Sequence, residues 1–333
     1  ALHSCCLGKA DGLGTVGMSA VLSIAPAQDP WLTDLDELPR GWAALVSSFE
    51  SRELVPCTLG QIFWFHKLVQ ETKRLDFEHI LVKTDAEHAS ISLTAVLVGA
   101  SMIMDEGQDL EMVQKRTQQL SQWLLPFRES SSTESGIFTV IDCLKSVMLA
   151  KTHGWIDFSC PNVDIDKCID MQEYLHYDRE ANGRIHVVVP SKLIVFDAPF
   201  PAALSAEQTA SMLDEDYYAD VLLDFGACLV VACHVSAPSP AHTDSLARMR
   251  RAGLDVELLS AAPDASLHTA DRLLSLLRLC PGPVALCALP SPAADPAGDA
   301  EGDAALERLV TWALVRLYSF TAPDAPAWTR LLP

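Results

Sequence analysis

The chain has 333 residues, of which 49% are hydrophobic, and its formal net charge is −20 at pH 7. At roughly 100–200 residues per domain, this length predicts about two domains, large enough to bury their cores without disulfide or metal staples. The acidic balance argues against binding to nucleic acid or anionic membranes, which need a basic face, and leaves basic peptides or basic partner surfaces as ligands. No apolar run of about 18 residues lacks a charge, so membrane insertion is not expected.

Two further features bear on the compartment of the protein. The start, Ala1-Leu2-His3, lacks the basic and then apolar pattern of a secretory signal, and the missing initiator Met predicts a fragment or a processed start. The ten cysteines include no C-x-x-C pair and no spacing with His that is typical of a zinc site. We therefore expect reduced, mostly buried thiols in the cytoplasm, with no metal and no other cofactor.

The first half of the chain predicts an arm followed by an α/β domain. Residues 1–55 are rich in Gly, Ala and Pro, which favours an N-terminal arm that is extended and carries one or two short helices. An α/β domain is expected over residues 56–158 because apolar patterns of helix and strand alternate there. Its predicted elements are a helix at 59–74, a buried strand at 79–82, a loop from 85 leading into an apolar helix that ends at 104, and helices at 109–125 and 138–152.

A charged linker over residues 159–184 separates this domain from a second one. The linker is expected to contain a helix and to end at the Asn182-Gly183 turn. The second domain, residues 185–333, again alternates strands and helices, which predicts a mostly parallel sheet. Its predicted strands are 185–189, 192–196, 228–233, 254–259 and 284–287; its helices are 215–225, 242–252, 269–280 and 304–318, with a long acidic loop over 288–303.

Two sets of segments carry a resemblance to a known family. The first set is Leu125-Pro126-Phe127-Arg128, Ile141-Asp142-Cys143-Leu144-Lys145, His153-Gly154-Trp155-Ile156-Asp157-Phe158, residues 174–183 and residues 189–196; the second is Tyr318-Ser319-Phe320-Thr321 with Ala327-Trp328-Thr329-Arg330. In order and spacing they resemble the mitotic-exit dual-specificity phosphatases, the cell-division-cycle fourteen family, over roughly residues 57–333. The resemblance implies two tandem phosphatase-fold domains, each a mostly parallel sheet flanked by helices, joined by a linker helix. The first domain would be catalytically silent, and the second would carry a Cys-x5-Arg loop that hydrolyses phosphoserine followed by proline.

The phosphate-binding loop departs from what this chemistry needs. A cysteine phosphatase needs a thiolate at a strand end, glycines that let backbone N–H groups surround the phosphate, and an Arg six residues later that binds two phosphate oxygens. Cys287 ends the predicted strand at the nucleophile position, but Leu286 precedes it where the family has His. The next six residues are Ala288-Leu289-Pro290-Ser291-Pro292-Ala293, with no Gly, two Pro that lack an N–H group, and Ala293 at the Arg position.

A second alignment of the same region gives the same result. Counting back from Tyr318 puts the arginine position at Ala305, which is 305 − 287 = 18 residues after Cys287. This predicts a lengthened loop whose extra part carries Asp295, Asp299, Glu301 and Asp303. Such carboxylates would repel a phosphate dianion and raise the pKa of a nearby thiol. Arg308 remains as a replacement clamp in principle, although a misplaced Arg does not reproduce a fixed fork.

The other candidate site residues each have an ordinary structural interpretation beside the functional one. Asp264 sits where the family has its general acid, although an Asp after Pro is also an ordinary loop residue. Glu173, Asp178 and Glu180 in the linker are candidates for an acidic groove that accepts a basic peptide, or else form a solvated helix face. The family's water-positioning glutamine segment has no counterpart before Pro333.

Three functional hypotheses follow, in order of preference. The first is a catalytically inactive pseudophosphatase that binds protein partners through the arm at 1–55 and the acidic loop at 288–303. Because members of the resembled family are found in such structures, the expected location of the protein is a cytoskeletal or ciliary assembly. The second is an active dual-specificity phosphatase of Ser-Pro sites that uses Cys287. The third, a phosphopeptide reader, ranks below the first because no Arg or Lys cluster lies near Cys287 in the sequence.

Overall fold

The computed structural model describes residues 21–26, 42–47, 57–75, 79–85, 87–105, 109–118, 120–128, 137–159, 167–197, 213–261, 266–290 and 296–332. It divides into two compact units: Ala1–Arg128 with Gly136–Thr152, and Glu129–Ser135 with His153–Pro333. Each unit is mixed α/β and contains a sheet with parallel strands, as predicted for the fold class. Within the described ranges, no helix combines the length and apolar character needed to cross a bilayer.

The first unit is built on a three-stranded parallel sheet in the order β1-β3-β2. These strands are β1 (Val21–Pro26), β2 (Trp42–Ser47) and β3 (His79–Thr84). Within the segment 1–55, for which an arm with one or two short helices was predicted, the structure describes these two strands, and both pair along β3. Their pairing depends on a partner more than thirty residues away in the chain, which local sequence patterns do not reveal.

Helices and a small hairpin complete the first unit. They are α1 (Leu59–Lys73), α2 (His88–Met104), α3 (Leu110–Gln118), β4 (Phe127–Arg128), β5 (Ile137–Phe138) and α4 (Val140–Thr152). A capping box explains the start of α1, since Gln61 N–H donates to Thr58 Oγ1 at 3.3 Å and Thr58 N–H donates to Gln61 Oε1 at 2.9 Å. The helix predicted over 109–125 ends at Gln118, and the N–H groups of Leu120, Ser121 and Trp123 then donate to carbonyl oxygens three residues earlier, which makes turns in place of helix.

The second unit is built on a five-stranded sheet in the order β6-β7-β10-β8-β9. The strands are β6 (Ile185–Val189), β7 (Leu193–Phe196), β8 (Leu229–His234), β9 (Asp255–Ser260) and β10 (Val284–Ala288). All neighbours are parallel except β6, which runs antiparallel to β7. β10 is the middle strand, so its apolar run is covered on both faces and on both edges.

Six α-helices and one short 3-10 helix (Glu180–Asn182) of the second unit lie within the described ranges. The α-helices are α5 (Met171–Tyr177), α6 (Glu215–Asp224), α7 (Pro240–Ala252), α8 (Ser266–Leu279), α9 (Pro296–Tyr318) and α10 (Asp324–Leu331). Local signals set several ends: Ser239 and His242 form a capping box at the start of α7, and Gly253, with φ +112°, closes it. The sequence did not predict α10. It also placed the start of α9 at residue 304, eight residues too late, so half of the predicted loop over 288–303 is helix.

Five rings in the second unit form a cluster that we call the aromatic framework: His153, Trp155, Tyr318, Phe320 and Trp328. Trp155 stacks on Phe320 with ring centroids 5.7 Å apart, and meets the edge of Tyr318 at 5.0 Å. His153 stacks on the same indole at 5.0 Å. Trp328 is fully buried and donates from Nε1 to the Val188 carbonyl oxygen at 3.2 Å. These interactions join the segment after α4 to α9, α10 and β6, and they use residues from both sets that carry the family resemblance.

Candidate phosphatase-like site

Cys287 occupies the middle of the second unit's core. It lies on β10 opposite Ala232 of β8, and none of its surface is exposed to solvent. The side chains packed in the same core cluster include Val230 and Leu246. The sequence placed Cys287 at a strand end; the structure extends β10 by one residue, to Ala288, and leaves the thiol in apolar surroundings.

The environment of Cys287 opposes ionisation of its thiol. Burial raises the pKa of Cys287 well above its ordinary value, and the neighbouring Cys233 and Asp197 raise it further. A phosphatase nucleophile must be a thiolate near neutral pH, which requires positive charge or N–H dipoles around the sulfur. Here the thiol stays protonated at neutral pH and acts as a small apolar side chain.

The backbone after Cys287 offers few donors to a phosphate. Leu289 N–H is already used, since it donates to the Cys233 carbonyl oxygen at 2.7 Å and so extends the pairing of β10 with β8. Pro290 and Pro292 have no N–H group. A ring of N–H groups around an anion, which defines a phosphate-binding loop, therefore lacks three of its positions.

The lengthened loop predicted between Cys287 and Ala305 was wrong. α9 begins at Pro296, so the additional residues extend a helix, and positions 299, 301 and 303 lie within it; Asp295 and Ala293 lie outside the described residues. A Cβ added to Gly302 would lie 3.7 Å from Ala288 Cβ and 3.8 Å from the Leu289 carbonyl oxygen. The second turn of α9 therefore passes directly over the end of β10.

No arginine occupies the aligned clamp position. Ala305 stands there, and it is 3% exposed within the packed face of α9. Arg308, the candidate replacement, is an exposed residue of α9. Glu307 beside it pairs with Arg330 on α10, with both hydrogen bonds at 2.9 Å.

The charges near the carboxyl edge of β7 and β10 are mostly negative. Partial desolvation raises the pKa of Asp197, the residue after β7; Arg184 opposes this rise, and Asp303 and Glu180 add to it. Arg184 lies 3.7 Å from Asp197 and 3.6 Å from Glu180, so two carboxylates share it. The excess of negative charge disfavours binding of a dianionic ligand, and the positive charge of Arg184 is already paired with the two carboxylates.

The linker carboxylates predicted as groove residues have their own neighbours within the second unit. Glu173 on α5 is half-buried, and burial together with Asp170 raises its pKa. Burial raises the pKa of Asp178, while Arg184 lowers it, and its Oδ1 lies 4.0 Å from His186 Nδ1. Glu180 is exposed and pairs with Arg184. Asp264, the predicted position of a general acid, lies outside the described residues.

Sequence reasoning missed His186, Asp197 and Arg184 as parts of this region. The signal for Asp197 was available, because polar residues at the carboxyl ends of parallel strands meet at one sheet edge. His186 gave no signal, since a single His in an apolar strand is ordinary. It is 6% exposed, and burial, assisted by Arg184, lowers its pKa to about 4. In the described part of the chain, its Nδ1 has no hydrogen-bond partner.

The described residues give no indication of a metal centre. Within those ranges, no group of three or more His, Cys, Asp or Glu side chains is arranged to hold a metal ion. The seven cysteines in this part of the chain are all free thiols.

Comparison with known proteins gives partial matches to one kind of enzyme. No protein-family model matches the chain. The chain is 36% identical over 78 residues to the dual specificity protein phosphatase CDC14AB of Danio rerio, which is 23% of this chain and 12% of that protein. It is 26% identical over 157 residues to the dual specificity protein phosphatase CDC14C of Symphalangus syndactylus, covering 46% of this chain and 31% of the relative. The human CDC14A protein is 35% identical over 78 residues.

These matches support kinship with dual-specificity phosphatases over part of the chain, in agreement with a parallel-rich sheet flanked by helices. The matched stretches span less than a third of the zebrafish and siamang relatives. At such identities and coverage the fold carries over more safely than the activity.

Proposed function

We propose that this protein is a catalytically inactive, phosphatase-fold protein, a pseudophosphatase, that acts as an interaction subunit. The observation that carries the proposal is the burial of Cys287, whose thiol packs in the core with its pKa raised well above the ordinary value. A nucleophile must reach the phosphorus atom, and a fully buried, protonated thiol does not.

Two further observations support the loss of activity. Leu289 N–H and the two prolines after it leave gaps in any ring of backbone donors, and buried Ala305 replaces the arginine. Transition-state stabilisation in phosphoryl transfer is almost entirely positioning and electrostatics, so these losses remove most of the catalytic contribution.

We also propose the domain organisation that the family resemblance implies. An N-terminal segment over 1–55, which supplies strands β1 and β2 to the first sheet, precedes a silent phosphatase-like domain at 56–158, a linker at 159–184 and a second phosphatase-like domain at 185–333. Strands alternate with helices in both units, and the second unit has the strand-loop-helix order β10 to α9 at the nucleophile position. These features support two related domains.

The proposed partners are proteins with a basic surface. The net charge of −20 favours such partners, and the exposed Asp303 on α9 and Glu180 in the linker contribute carboxylates at one region of the second unit. Glu173, Asp178 and Glu180 remain the candidate groove residues, together with segments 1–55 and 288–303. We propose a cytoplasmic setting in a cytoskeletal or ciliary assembly on the family resemblance alone.

Aryl-phosphate hydrolysis tests the proposal directly. The purified chain should give no turnover above the background of Cys287→Ser and Cys287→Ala, and tungstate should not raise its melting temperature. Turnover that both substitutions abolish would overturn the proposal and favour an active phosphatase of Ser-Pro sites. In that case Arg308→Ala should remove activity, while Arg316→Ala, which changes another exposed arginine of α9, should not. Stabilisation by tungstate without turnover would instead favour a phosphopeptide reader.

A further inference from the structure

Two cysteines meet at the edge of the second unit's sheet that lies opposite the candidate site. Cys228 immediately precedes β8, and Cys280 immediately follows α8. Because β8 and β10 are parallel and pair with Leu229 opposite Val284, Cys228 lies at the amino ends of both strands. Cys287 lies near the carboxyl end of β10, so the two regions are separated by the length of that strand.

A tight turn holds the two cysteines in place. Cys228 N–H donates to the Pro283 carbonyl oxygen at 3.1 Å, and Cys228 Sγ lies 3.7 Å from the same oxygen. A Cβ on Gly282 would lie 3.7 Å from Cys228 Sγ and only 2.6 Å from the Gly226 carbonyl oxygen. The backbone therefore approaches so closely that only glycine fits at 282, and the turn from Cys280 to Pro283 is fixed against Cys228.

The two thiols are neighbours, and among the described cysteines they are the accessible ones. Cys228 is close enough to Cys280 to raise the pKa of its thiol, after the larger effect of burial. Both are partly exposed, whereas the other described thiols are buried, namely Cys57, Cys143, Cys168, Cys233 and Cys287. Contact between thiols and access for a reagent are the two conditions for oxidation to a disulfide.

We propose that Cys228 and Cys280 form a redox-active dithiol that closes to a disulfide when it meets a peroxide. One thiolate attacks a peroxide oxygen, which gives a sulfenic acid and, with a proton, one water molecule. The second thiol then attacks that sulfur, the S–S bond forms, and the sulfenic oxygen leaves as a second water molecule. Two thiols and one hydrogen peroxide thus yield one disulfide and two waters.

The surroundings determine how this pair responds. Burial, Cys228, Asp255 and Glu257 all raise the pKa of Cys280, so its thiolate is scarce at neutral pH. Attack on peroxide by the Cys280 thiolate should therefore be slow at pH 7 and faster as the pH rises. The bond would close a loop of 280 − 228 = 52 residues that contains β8, α7, β9 and α8. Closing a loop of this size restricts the unfolded chain and stabilises the fold.

A trivalent arsenical tests the proximity of the thiols without oxidation. Phenylarsine oxide condenses with two adjacent thiols, forming two As–S bonds and releasing water. On the reduced, full-length protein it should protect Cys228 and Cys280 together from alkylation, as read by peptide mass spectrometry. Cys228→Ser or Cys280→Ser should abolish this protection, and Cys168→Ser, which changes a buried thiol elsewhere, should preserve it.

Peroxide treatment tests the proposal itself. The expected product is a non-reduced peptide pair linked through Cys228 and Cys280, with a melting temperature several degrees higher than that of the reduced protein. Dithiothreitol should reverse both changes. Independent alkylation of the two thiols in the presence of the arsenical would overturn the proposal, and so would an oxidised protein whose links join other cysteines. Both readings come from the unsubstituted protein, so they do not depend on the folding of a variant. The proposal also stands apart from the question of phosphatase activity.

Discussion

In the second unit, the buried rings of the aromatic framework and the buried Cys287 near the carboxyl end of β10 differ in what they do. The framework joins Trp155, Phe320 and Trp328 through ring contacts and one indole hydrogen bond, and its residues come from the segments that carry the resemblance. Near the end of β10, Cys287 stands at the position predicted for the nucleophile, but its surroundings are those of a core thiol.

This difference shows what the resemblance measures. The segments that carry it contribute packing and backbone turns, which a chain must keep in order to fold. The residues that phosphate hydrolysis requires lie between those segments. They can be replaced while the sheet still forms. Partial identity to phosphatases therefore supports the fold of this protein more strongly than it supports an activity.

The largest expected effect comes from breaking the framework. Trp328→Ala should lower the free energy of unfolding by about 3–5 kcal/mol, because a fully buried indole and its hydrogen bond to Val188 are lost. Guanidinium unfolding measures this change. Trp64→Ala is the control, since that side chain is 60% exposed in the first unit and its loss should cost less than about 1 kcal/mol. Equal losses for the two variants would contradict the role given to the framework.

The next effect is a dependence of stability on pH. The pKa of His186 is about 4 when folded and 6.5 ordinarily, so the unfolded chain binds more protons between these values. Stability from this group is therefore present above pH 6.5 and is lost as the pH falls towards 4, by up to about 3 kcal/mol. The measurement is urea unfolding from pH 7 to 4. His186→Gln should flatten the curve relative to the unsubstituted protein, and His176→Gln, at an exposed position of α5, should not.

A smaller effect distinguishes a core thiol from a nucleophile. Cys287→Ser should destabilise the protein by about 1–3 kcal/mol, because a hydroxyl group in an apolar core pays a desolvation cost that the thiol does not. Chemical denaturation of Cys287→Ser beside Cys287→Ala separates the polarity of the hydroxyl from the loss of volume. A serine variant as stable as the original protein would mean that residue 287 reaches solvent or a polar cradle.

The smallest effect concerns the ion pair between α9 and α10. Arg330→Met should cost about 1 kcal/mol, since its two hydrogen bonds to Glu307 are well formed but partly exposed to solvent. A double-mutant cycle with Glu307→Gln measures the coupling between the two residues. A coupling energy of zero would mean that the ion pair does not stabilise the packing of α9 against α10, and that the aromatic framework does so without it.

Local signals made much of the fold predictable. The capping box of Thr58 and Gln61 marks the start of α1, and the buried run Val284-Ala285-Leu286-Cys287 marks a central strand. Pairing of β1 and β2 with β3 could not be predicted, because it depends on residues distant in the chain. The start of α9 was missed because its first residues are Ala, Gly, Pro and Asp, a composition that is also typical of loops.

The site was only partly predictable. The absence of glycine and the two prolines after Cys287 could be recognised from the sequence, since each removes something that a phosphate cradle needs. The full burial of Cys287 and the sharing of Arg184 between Asp197 and Glu180 depend on tertiary packing. No local pattern indicates them.

The close approach of Gly302 to Ala288 and Leu289 has a consequence for protein engineering. Replacing Ala293 or Ala305 by arginine would not rebuild a phosphate cradle, because a helical turn already occupies the space over the end of β10. A gain of activity would require deletion of the first turns of α9 together with a grafted glycine-rich segment. A phosphate cradle at this strand end would therefore need changes in chain length, which point substitutions alone do not supply.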